Sequence, residues 1–261
     1  MLRVVTYNIR ACLGMDGRRC VDRVAGVLEH LGADVAALQE VDFARSRSGC
    51  VDQASELASR LGMEPVAGPS LRDGSGAYGN ATLVRAGLGW ELMRHEGLSW
   101  RLGCEPRSAL WVRVEEPCGG AGGERVGAAG GDAFVDVLNT HLSFRRFDRP
   151  RQIGDLLGER WMTSPLLGPA AVLVGDLNCT PGDRGLRRLA RVWRNAGGPG
   201  GTWPTRWPVR RLDHVLASAE TRVWDAGAVR PPGARWASDH YPVAACVSGR
   251  SETNAAGDAS G

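Results

Sequence analysis

A carboxylate and a carboxamide follow one of the most apolar runs of the chain, at a spacing that suits chemistry on a metal ion or a phosphate. Residues 170–174 are apolar and are followed by Gly175, Asp176, Leu177 and Asn178. The run predicts a core strand, and because side chains alternate along a strand, we expect Asp176 and Asn178 to face the same way. Such a pair could hold a water molecule, a metal ion or a phosphoryl oxygen. Asp and Asn also end strands as ordinary turn residues, so the motif alone leaves both interpretations open.

Polar residues also stand at the ends of other predicted strands, which favours a shared site. These residues are Asn8, Glu40, His141, Asp213, Asp239 and His240. Strand ends are where sheet-based active sites collect their functional groups. Because the positions run from residue 8 to residue 240, both ends of the chain must meet, which predicts a single domain.

Alternation along a strand also separates polar residues that are neighbours in sequence. Asp213 and His214 are expected to point in opposite directions, so we interpret His214 as a structural residue. Asp239 and His240 can both serve one site only if they lie on a bend before the last strand.

The composition fits one globular domain and gives little support to tight binding of nucleic acid. The chain has 261 residues and a formal net charge of +3, and every basic residue except histidine is arginine. A net charge this small does not indicate a polyanion partner. No apolar stretch is long enough to span a bilayer, and the first predicted strand leaves no room for a signal peptide. We therefore expect a cytoplasmic monomer whose seven cysteines are free thiols.

Helical and strand-like segments are interspersed along the chain, which predicts an α/β fold. Helical spacing of apolar residues appears over 21–31, 52–61, 151–161 and 186–193. The predicted strands are 2–8, 34–40, 65–68, 79–85, 90–96, 107–115, 133–141, 170–176, 212–217, 222–229 and 241–247.

Two segments are predicted to lie outside the packed part of the domain. Residues 117–131 are rich in Gly and Ala and predict a flexible hairpin insertion. Residues 248–261 are polar and predict a disordered tail. The domain itself is expected to cover residues 1–247.

Eight short motifs stand in the same order along the chain as in a known family. They are Thr6-Tyr7-Asn8-Ile9-Arg10, Leu38-Gln39-Glu40-Val41-Asp42, Tyr78-Gly79-Asn80, Glu105-Pro106-Arg107, Asn139-Thr140-His141-Leu142, Gly175-Asp176-Leu177-Asn178, Arg211-Leu212-Asp213-His214 and Ser238-Asp239-His240. In this order they resemble the endonuclease/exonuclease/phosphatase superfamily, in particular its small bacterial metal-dependent hydrolases. The resemblance implies a four-layer α/β (α+β) sandwich, in which two mixed β-sheets are flanked by helices and the site lies at one end. It also implies divalent-metal-dependent hydrolysis of a phosphate ester.

The resemblance assigns a metal site and a phosphate site to matching residues. It implies that Glu40 is the main Mg²⁺ ligand, assisted by Asn8 and Asp239 directly or through water. Ligands that are all oxygen favour Mg²⁺ or Mn²⁺ over zinc. Asp176 and Asn178 are implied to position water and to bind a phosphoryl oxygen.

The proton-transfer groups are assigned in the same way. The resemblance implies that His240 acts on the nucleophilic water or holds the phosphoryl group, while Asp213 orients it and stabilises its cationic form. His141 is implied to serve the leaving group, and Arg107 to supply fixed positive charge to the phosphate. Arg107 could instead pair with Glu105.

The substrate stays open at this level. Asn80, Trp203 and Trp207 are expected to contact it, and the two tryptophans could stack on bases, insert beside acyl chains or anchor their loop. Family members that act on abasic DNA carry an acid where this chain has Arg10, which weakens a DNA-repair interpretation. A phosphodiester is the main hypothesis, with a nuclease and a phospholipid or inositol-phosphate phosphoesterase as alternatives. A non-catalytic interaction module predicts loss of a site residue, and none is lost.

Overall fold

The computed structural model describes residues 1–117 and 133–249. The insertion predicted over 117–131 and the tail predicted over 248–261 lie almost entirely outside the described residues. Ser248, the first residue of that predicted tail, is still part of the last strand.

Among the described residues, twelve strands form two mixed sheets of six strands each. In chain order the strands are β1 (Leu2–Asn8), β2 (Val35–Phe43), β3 (Met63–Asp73), β4 (Gly76–Arg85), β5 (Trp90–Gly97), β6 (Ser108–Glu115), β7 (Phe134–His141), β8 (Ala171–Asp176), β9 (Arg194–Asn195), β10 (Asp213–Ala217), β11 (Arg222–Ala228) and β12 (Val243–Ser248). The first sheet has the order β11-β12-β1-β2-β4-β3, and the second has the order β5-β6-β7-β8-β10-β9. The mixed sheets confirm the predicted fold class.

The helices cover the outer faces of the two sheets. They are α1 (Val21–Leu31), α2 (Gln53–Leu61), α3 (Arg149–Leu156), α4 (Arg184–Leu189) and α5 (Ala234–Ala237). Leu28 of α1 and Leu57 of α2 pack in one cluster with Val5 of β1. Ile153 of α3 packs in another with Leu173 of β8. No helix in the described part of the chain is long and apolar enough to cross a membrane.

The main core lies between the sheets. Val4 and Val35 of the first sheet pack there against Val112, Val137 and Val172 of the second, and all five are fully buried. Because Val4 faces this core and Val5 faces the helices, the central strands are apolar on both faces, as buried strands must be. This explains the continuous apolar run in β8.

Two buried amides join the sheets directly beneath the functional end of the sandwich. Gln39 Nε2 of β2 donates to Asn139 Oδ1 of β7 at 2.8 Å. Asn139 Nδ2 in turn donates to the carbonyl of Ala81 at 2.9 Å. Buried polar groups that are fully paired in this way fix one arrangement of the layers.

The structure corrects several predicted boundaries. Strand β2 was predicted to end at Glu40, but it continues to Phe43 through a β-bulge, because the register with β4 shifts between Leu38 and Val41. Helix α3 ends at Leu156, whereas the apolar spacing predicted a helix to residue 161. Trp161 supplies the same apolar contact from a turn and is buried in the core. The short β9 and α5 lack enough periodic residues to be predicted.

Candidate active site

The register of the second sheet places three polar residues side by side. Asp176, the last residue of β8, is paired with His141 on β7 and with Asp213 on β10. Asn8 ends β1 in the facing sheet. His240 precedes β12, on a bend that also contains Asp239. Residues distant in sequence are thus brought to one end of the sandwich.

Two of the site residues have a left-handed backbone conformation. Glu40 lies in the β-bulge with φ +58°, and Asn178 has φ +49°. Such conformations are unfavourable for residues other than Gly and concentrate at functional sites. Because β8 ends at Asp176, the expected strand alternation between Asp176 and Asn178 does not apply. Instead the backbone N–H of Asn178 donates to Asp176 Oδ1 at 3.0 Å.

A continuous chain of polar contacts joins the two sheets through Asp176. Asn8 Nδ2 donates to Glu40 Oε1 at 2.9 Å and to Asp176 Oδ2 at 3.1 Å. The same Asp176 oxygen lies 3.5 Å from His141 Nε2 and 3.7 Å from His240 Nε2. This carboxylate therefore lies between the predicted metal ligands and both imidazoles.

His240 is paired with a fully buried acid. Its Nδ1–H donates to Asp213 Oδ2 at 2.8 Å, and Asp213 is 0% exposed. Burial disfavours the charged imidazolium, but the carboxylates of Asp213 and Asp176 outweigh burial and raise the pKa of His240. The pair therefore favours a cationic His240 whose Nε2 faces the site.

His141 is in the opposite electrostatic situation. Burial lowers its pKa well below the ordinary value, and the positive charges of Arg107 and His240 lower it further. Arg107 Nη1 lies 3.4 Å from His141 Nδ1, and a guanidinium can only donate. The other ring nitrogen, Nε2, lies 3.2 Å from the amide nitrogen of Asn178 and 3.5 Å from Asp176 Oδ2, so a donor faces each nitrogen of the neutral ring. Arg107 also forms the ion pair with Glu105 that the sequence left as an alternative.

The carboxylates of the site fit a divalent cation. Burial, together with the nearby Asp213 carboxylate, raises the pKa of Asp176, although the charge of His240 opposes this. Asp213 Oδ1 is buried and has no partner among the described residues. Glu40 and Asp176 converge on a single neutral NH₂ group, that of Asn8. A hard cation with oxygen ligands would neutralise such a cluster.

Asp176, Asp213 and His240 also offer ligand-type atoms that all lie within 4.8 Å of one another. In the present geometry Asp213 and His240 already satisfy each other by a hydrogen bond, and a cationic imidazole cannot bind a metal. The arrangement of this group therefore suits hydrogen bonding better than direct metal binding. Asn8 Oδ1 accepts from the backbone N–H of Arg10 at 3.0 Å, so the Asn8 oxygen faces away from Glu40 and a contact through water suits it better.

The other residues predicted for the site are Asp239, Asn80, Trp203 and Trp207. Asp239 Oδ2 is 3.8 Å from Arg10 Nε and accepts from Trp203 Nε1 at 3.4 Å. Asn80 is 2% exposed and its amide donates to the Ser108 carbonyl at 3.0 Å. Trp207 is 71% exposed. Of these residues, only Asp239 and Trp203 have a direct contact with each other.

Three residues at the site were given no role from the sequence. Arg10 meets Asp239, Tyr78 lies close to Arg107, and Ser238 Oγ donates to the Asn8 carbonyl at 2.7 Å. All three stand inside the motifs that carried the resemblance. Their motif positions were the available signal, but only the structure shows which neighbours they contact.

His214 points away from Asp213. It is fully buried, and its Nε2–H donates to the Cys179 carbonyl at 2.7 Å, whereas Nδ1 has no partner among the described residues. Burial lowers the pKa of His214 to about 4. The imidazole is therefore neutral in the folded protein at neutral pH.

We expect His214 to make folding stability fall as the pH drops from about 6.5 to about 4, because the unfolded chain binds the proton first. The maximum loss is about 3 kcal/mol. Urea unfolding of the wild type and of His214→Gln, followed between pH 7 and pH 4 in EDTA, measures it. Glutamine keeps a hydrogen-bond donor but does not titrate, so the stability of the His214→Gln variant should depend less on pH than that of the wild type. An equal fall in both proteins would contradict the assignment.

Comparison with known proteins shows the family to which the chain belongs. Residues 5–240 match the model of the endonuclease/exonuclease/phosphatase family, and the chain belongs to this family. Its members are hydrolases of phosphate esters that depend on divalent metals, and this protein is accordingly a hydrolase acting on phosphate ester bonds. No curated protein matches the sequence.

Solved structures share the fold at low sequence identity. An endonuclease/exonuclease/phosphatase from Bacteroides vulgatus has a TM-score of 0.72 at 17% identity, covering 94% of this chain and 98% of its own. The mannosyl-6-phosphatase Bt3783 of Bacteroides thetaiotaomicron has a TM-score of 0.67 at 17% identity, covering 95% and 99%. The human Nocturnin catalytic domain with bound sulfate has a TM-score of 0.64 at 20% identity, covering 95% and 94%. These similarities show the fold and no more.

Proposed function

We propose that the protein is a phosphodiesterase that uses Mg²⁺ or Mn²⁺, with its reaction centre at Asp176. The observation that carries the proposal is the position of Asp176 Oδ2. It lies within 3.1 Å of the Asn8 amide that also holds Glu40, and within 3.7 Å of the imidazole paired with Asp213. Hydrolysis of a phosphate ester needs an oriented water and stabilised phosphoryl oxygens, and both kinds of group meet here.

Glu40 and Asp239 would hold the metal ion, and Asn8 would contact it through water. When bound, the ion supplies positive charge to the phosphoryl oxygens and lowers the pKa of a coordinated water. The bulge at Glu40 supports this assignment, because a left-handed residue turns the carboxylate out of the regular strand pattern. Asn8 maintains the position of that carboxylate by its 2.9 Å hydrogen bond.

His240 and Asp213 act as a unit on the reacting phosphate. Asp213 holds Nδ1, so Nε2–H of the cationic ring is directed into the site and donates to a phosphoryl oxygen. Asp176 accepts a hydrogen bond from the attacking water and orients it. Asn178 donates its amide to the Leu142 carbonyl at 2.8 Å, which fixes it beside the imidazole of His141.

His141 and Arg107 serve the leaving-group side. Because Arg107 occupies Nδ1, Nε2 is the nitrogen through which the His141 ring would serve the departing oxygen. Arg107 is 7% exposed, so its charge is held in a fixed place and is little screened by solvent.

The charge balance of the network supports a diester. Its cationic side chains are Arg10, Arg107 and His240, and its carboxylates are Glu40, Glu105, Asp176, Asp213 and Asp239. With one divalent cation the network is close to neutral. A phosphodiester carries one negative charge and a monoester about two at neutral pH, so the diester fits this balance better.

Removal of metal is expected to abolish activity. In EDTA, hydrolysis of bis(4-nitrophenyl) phosphate should fall at least about 10²-fold, and excess Mg²⁺ or Mn²⁺ should restore it. The diester should be turned over faster than 4-nitrophenyl phosphate. Parallel assays on plasmid DNA, RNA, phosphatidylglycerol, sphingomyelin and inositol phosphates then rank the substrate classes. Full activity in the chelator would contradict the metal assignment.

A further inference from the structure

Arginine is concentrated at the end of the sandwich that carries the site. Strands β1, β2, β7 and β8 end there, and β4, β6, β10 and β12 begin there. The connections at this end are 9–20, 44–52, 74–75, 98–107, 142–148, 177–183, 196–212 and 229–242. They contain fourteen arginines and six acids, a formal charge of +8, whereas the whole chain carries +3. The site carboxylates Glu40, Asp176 and Asp213 stand on strands at the same end and offset part of this positive charge.

The same end carries the most exposed apolar side chains. Among the described residues, the four most exposed large apolar side chains are Leu102 at 96%, Val209 at 80%, Trp207 at 71% and Phe144 at 67%. All four belong to the connections 98–107, 142–148 and 196–212. We call these three connections, together with 229–242, the rim. Each of these connections contains a site residue or adjoins one in sequence, so the rim lies at the same end of the sandwich as the site. Exposed apolar groups concentrated beside a functional site mark an interaction surface.

Arginines and aromatic rings of the rim contact one another. The guanidinium of Arg146 lies 4.8 Å from the centre of the Phe147 ring, and that of Arg101 lies 6.0 Å from the same ring. Arg145 lies 5.6 Å from the Phe144 ring. The connections 98–107 and 142–148 therefore form one continuous surface in which positive charge and apolar area alternate.

A second part of the rim has the same composition. A cavity of about 320 Å³ is lined by Met15, Thr205, Arg206, Arg235 and Trp236. Two arginines beside apolar residues match the chemistry of an anionic headgroup followed by methylene groups. Such a cavity is complementary to a molecule that is charged at one end and apolar beyond it.

These features favour a lipid bilayer over nucleic acid. Leu102 and Val209 have no aromatic face on which a base could stack, yet they are the two most exposed large apolar side chains described. Phe144 and Phe147 have guanidinium groups over their rings, which limits stacking of a base there. Apolar side chains flanked by arginine are typical of surfaces that insert at the boundary between headgroups and acyl chains.

We propose that the rim docks onto an anionic phospholipid bilayer. Leu102 and Val209 enter the acyl region, and the neighbouring arginines contact lipid phosphates. This inference rests on the proposed function to the extent that it names the substrate class: the diester hydrolysed is then that of a phospholipid headgroup. Docking itself needs neither the metal ion nor turnover.

Vesicle flotation in EDTA tests docking separately from catalysis. The full chain should bind vesicles of equal parts phosphatidylglycerol and phosphatidylcholine at least about tenfold more tightly than pure phosphatidylcholine vesicles. Leu102→Ser with Val209→Ser should weaken this binding at least about tenfold, because two exposed aliphatic groups no longer insert. The matched control is Leu166→Ser with Val192→Ser, two aliphatic residues exposed by 57% and 44% in connections at the opposite end. It should bind as the wild type does.

Turnover of bis(4-nitrophenyl) phosphate, with metal present, should be the same in both double variants as in the wild type. This soluble diester does not need the bilayer, so unchanged turnover shows that the fold and the site are intact. Absence of vesicle binding by the wild type, or equal binding by the two double variants, would overturn the proposal. So would a single-stranded oligonucleotide that competes with vesicles and loses affinity in the Leu102→Ser, Val209→Ser variant. Vesicle binding without any diesterase activity would instead refute the proposed function and leave docking in place.

Discussion

Replacing His240 with alanine is expected to lower kcat for bis(4-nitrophenyl) phosphate by about 10³-fold. The imidazole is held by a 2.8 Å hydrogen bond to Asp213 and points its other nitrogen at Asp176. Alanine removes the donor to the phosphoryl oxygen and leaves the buried Asp213 carboxylate without its partner. The effect should fall on kcat more than on KM, because the interaction strengthens as charge develops on the phosphate.

The control for this prediction is His30→Ala, which changes an exposed histidine on α1 and should leave kcat unchanged. Asp213→Asn tests the pair from the other side. It keeps the shape of the side chain but removes the charge that raises the pKa of His240, so kcat should also fall. Thermal unfolding shows whether each variant is folded. A folded His240→Ala protein with wild-type kcat would remove His240 from the mechanism.

Replacing Glu40 with glutamine is expected to have the second largest effect. Glutamine retains an oxygen that can accept from Asn8 Nδ2, but it loses the negative charge that attracts a divalent cation. At saturating substrate, the Mg²⁺ concentration for half-maximal activity should rise at least about tenfold, and the activity at 1 mM Mg²⁺ should fall about 10²-fold. Activity titrations with Mg²⁺ and Mn²⁺ measure both quantities.

The matched control is Glu29→Gln, which neutralises an exposed glutamate on α1. It tests whether loss of one negative charge anywhere on the protein changes the metal requirement. Calorimetric titration with Mg²⁺ in the absence of substrate separates metal affinity from turnover. An unchanged metal requirement in Glu40→Gln would assign the ion to other carboxylates of the site.

Much of the fold follows from patterns that are strong in this sequence. The central strands β1, β7 and β8 are almost entirely buried and each ends at a polar residue, and β8 is a continuous apolar run up to that point. Helices α1 and α2 have clear apolar spacing, and both end at a glycine in the left-handed conformation. The bulge in β2 could not be predicted, because register depends on the partner strand as well as on local sequence.

The candidate site, like the fold, could be predicted from the sequence only in part. The residue types at the strand ends indicated where Asn8, His141 and Asp176 would lie, and these residues do share one network. Which atom of each residue faces the site could not be predicted. The orientation of the Asn8 amide depends on the backbone of Arg10, and the groups that face the two His141 nitrogens are Arg107 and Asn178. Both are contacts between side chains and neighbours that strand periodicity does not specify.

The two buried amides that bridge the layers, Gln39 and Asn139, have a consequence for how activity arises during folding. Each sheet by itself contains only part of the catalytic set, so neither half of the sandwich can hydrolyse a substrate before the layers have joined. A nascent or partly unfolded chain is therefore inert towards phosphate esters. Appearance of turnover during refolding would consequently report completion of the whole domain. Phosphate esters would not be hydrolysed by chains that are still folding.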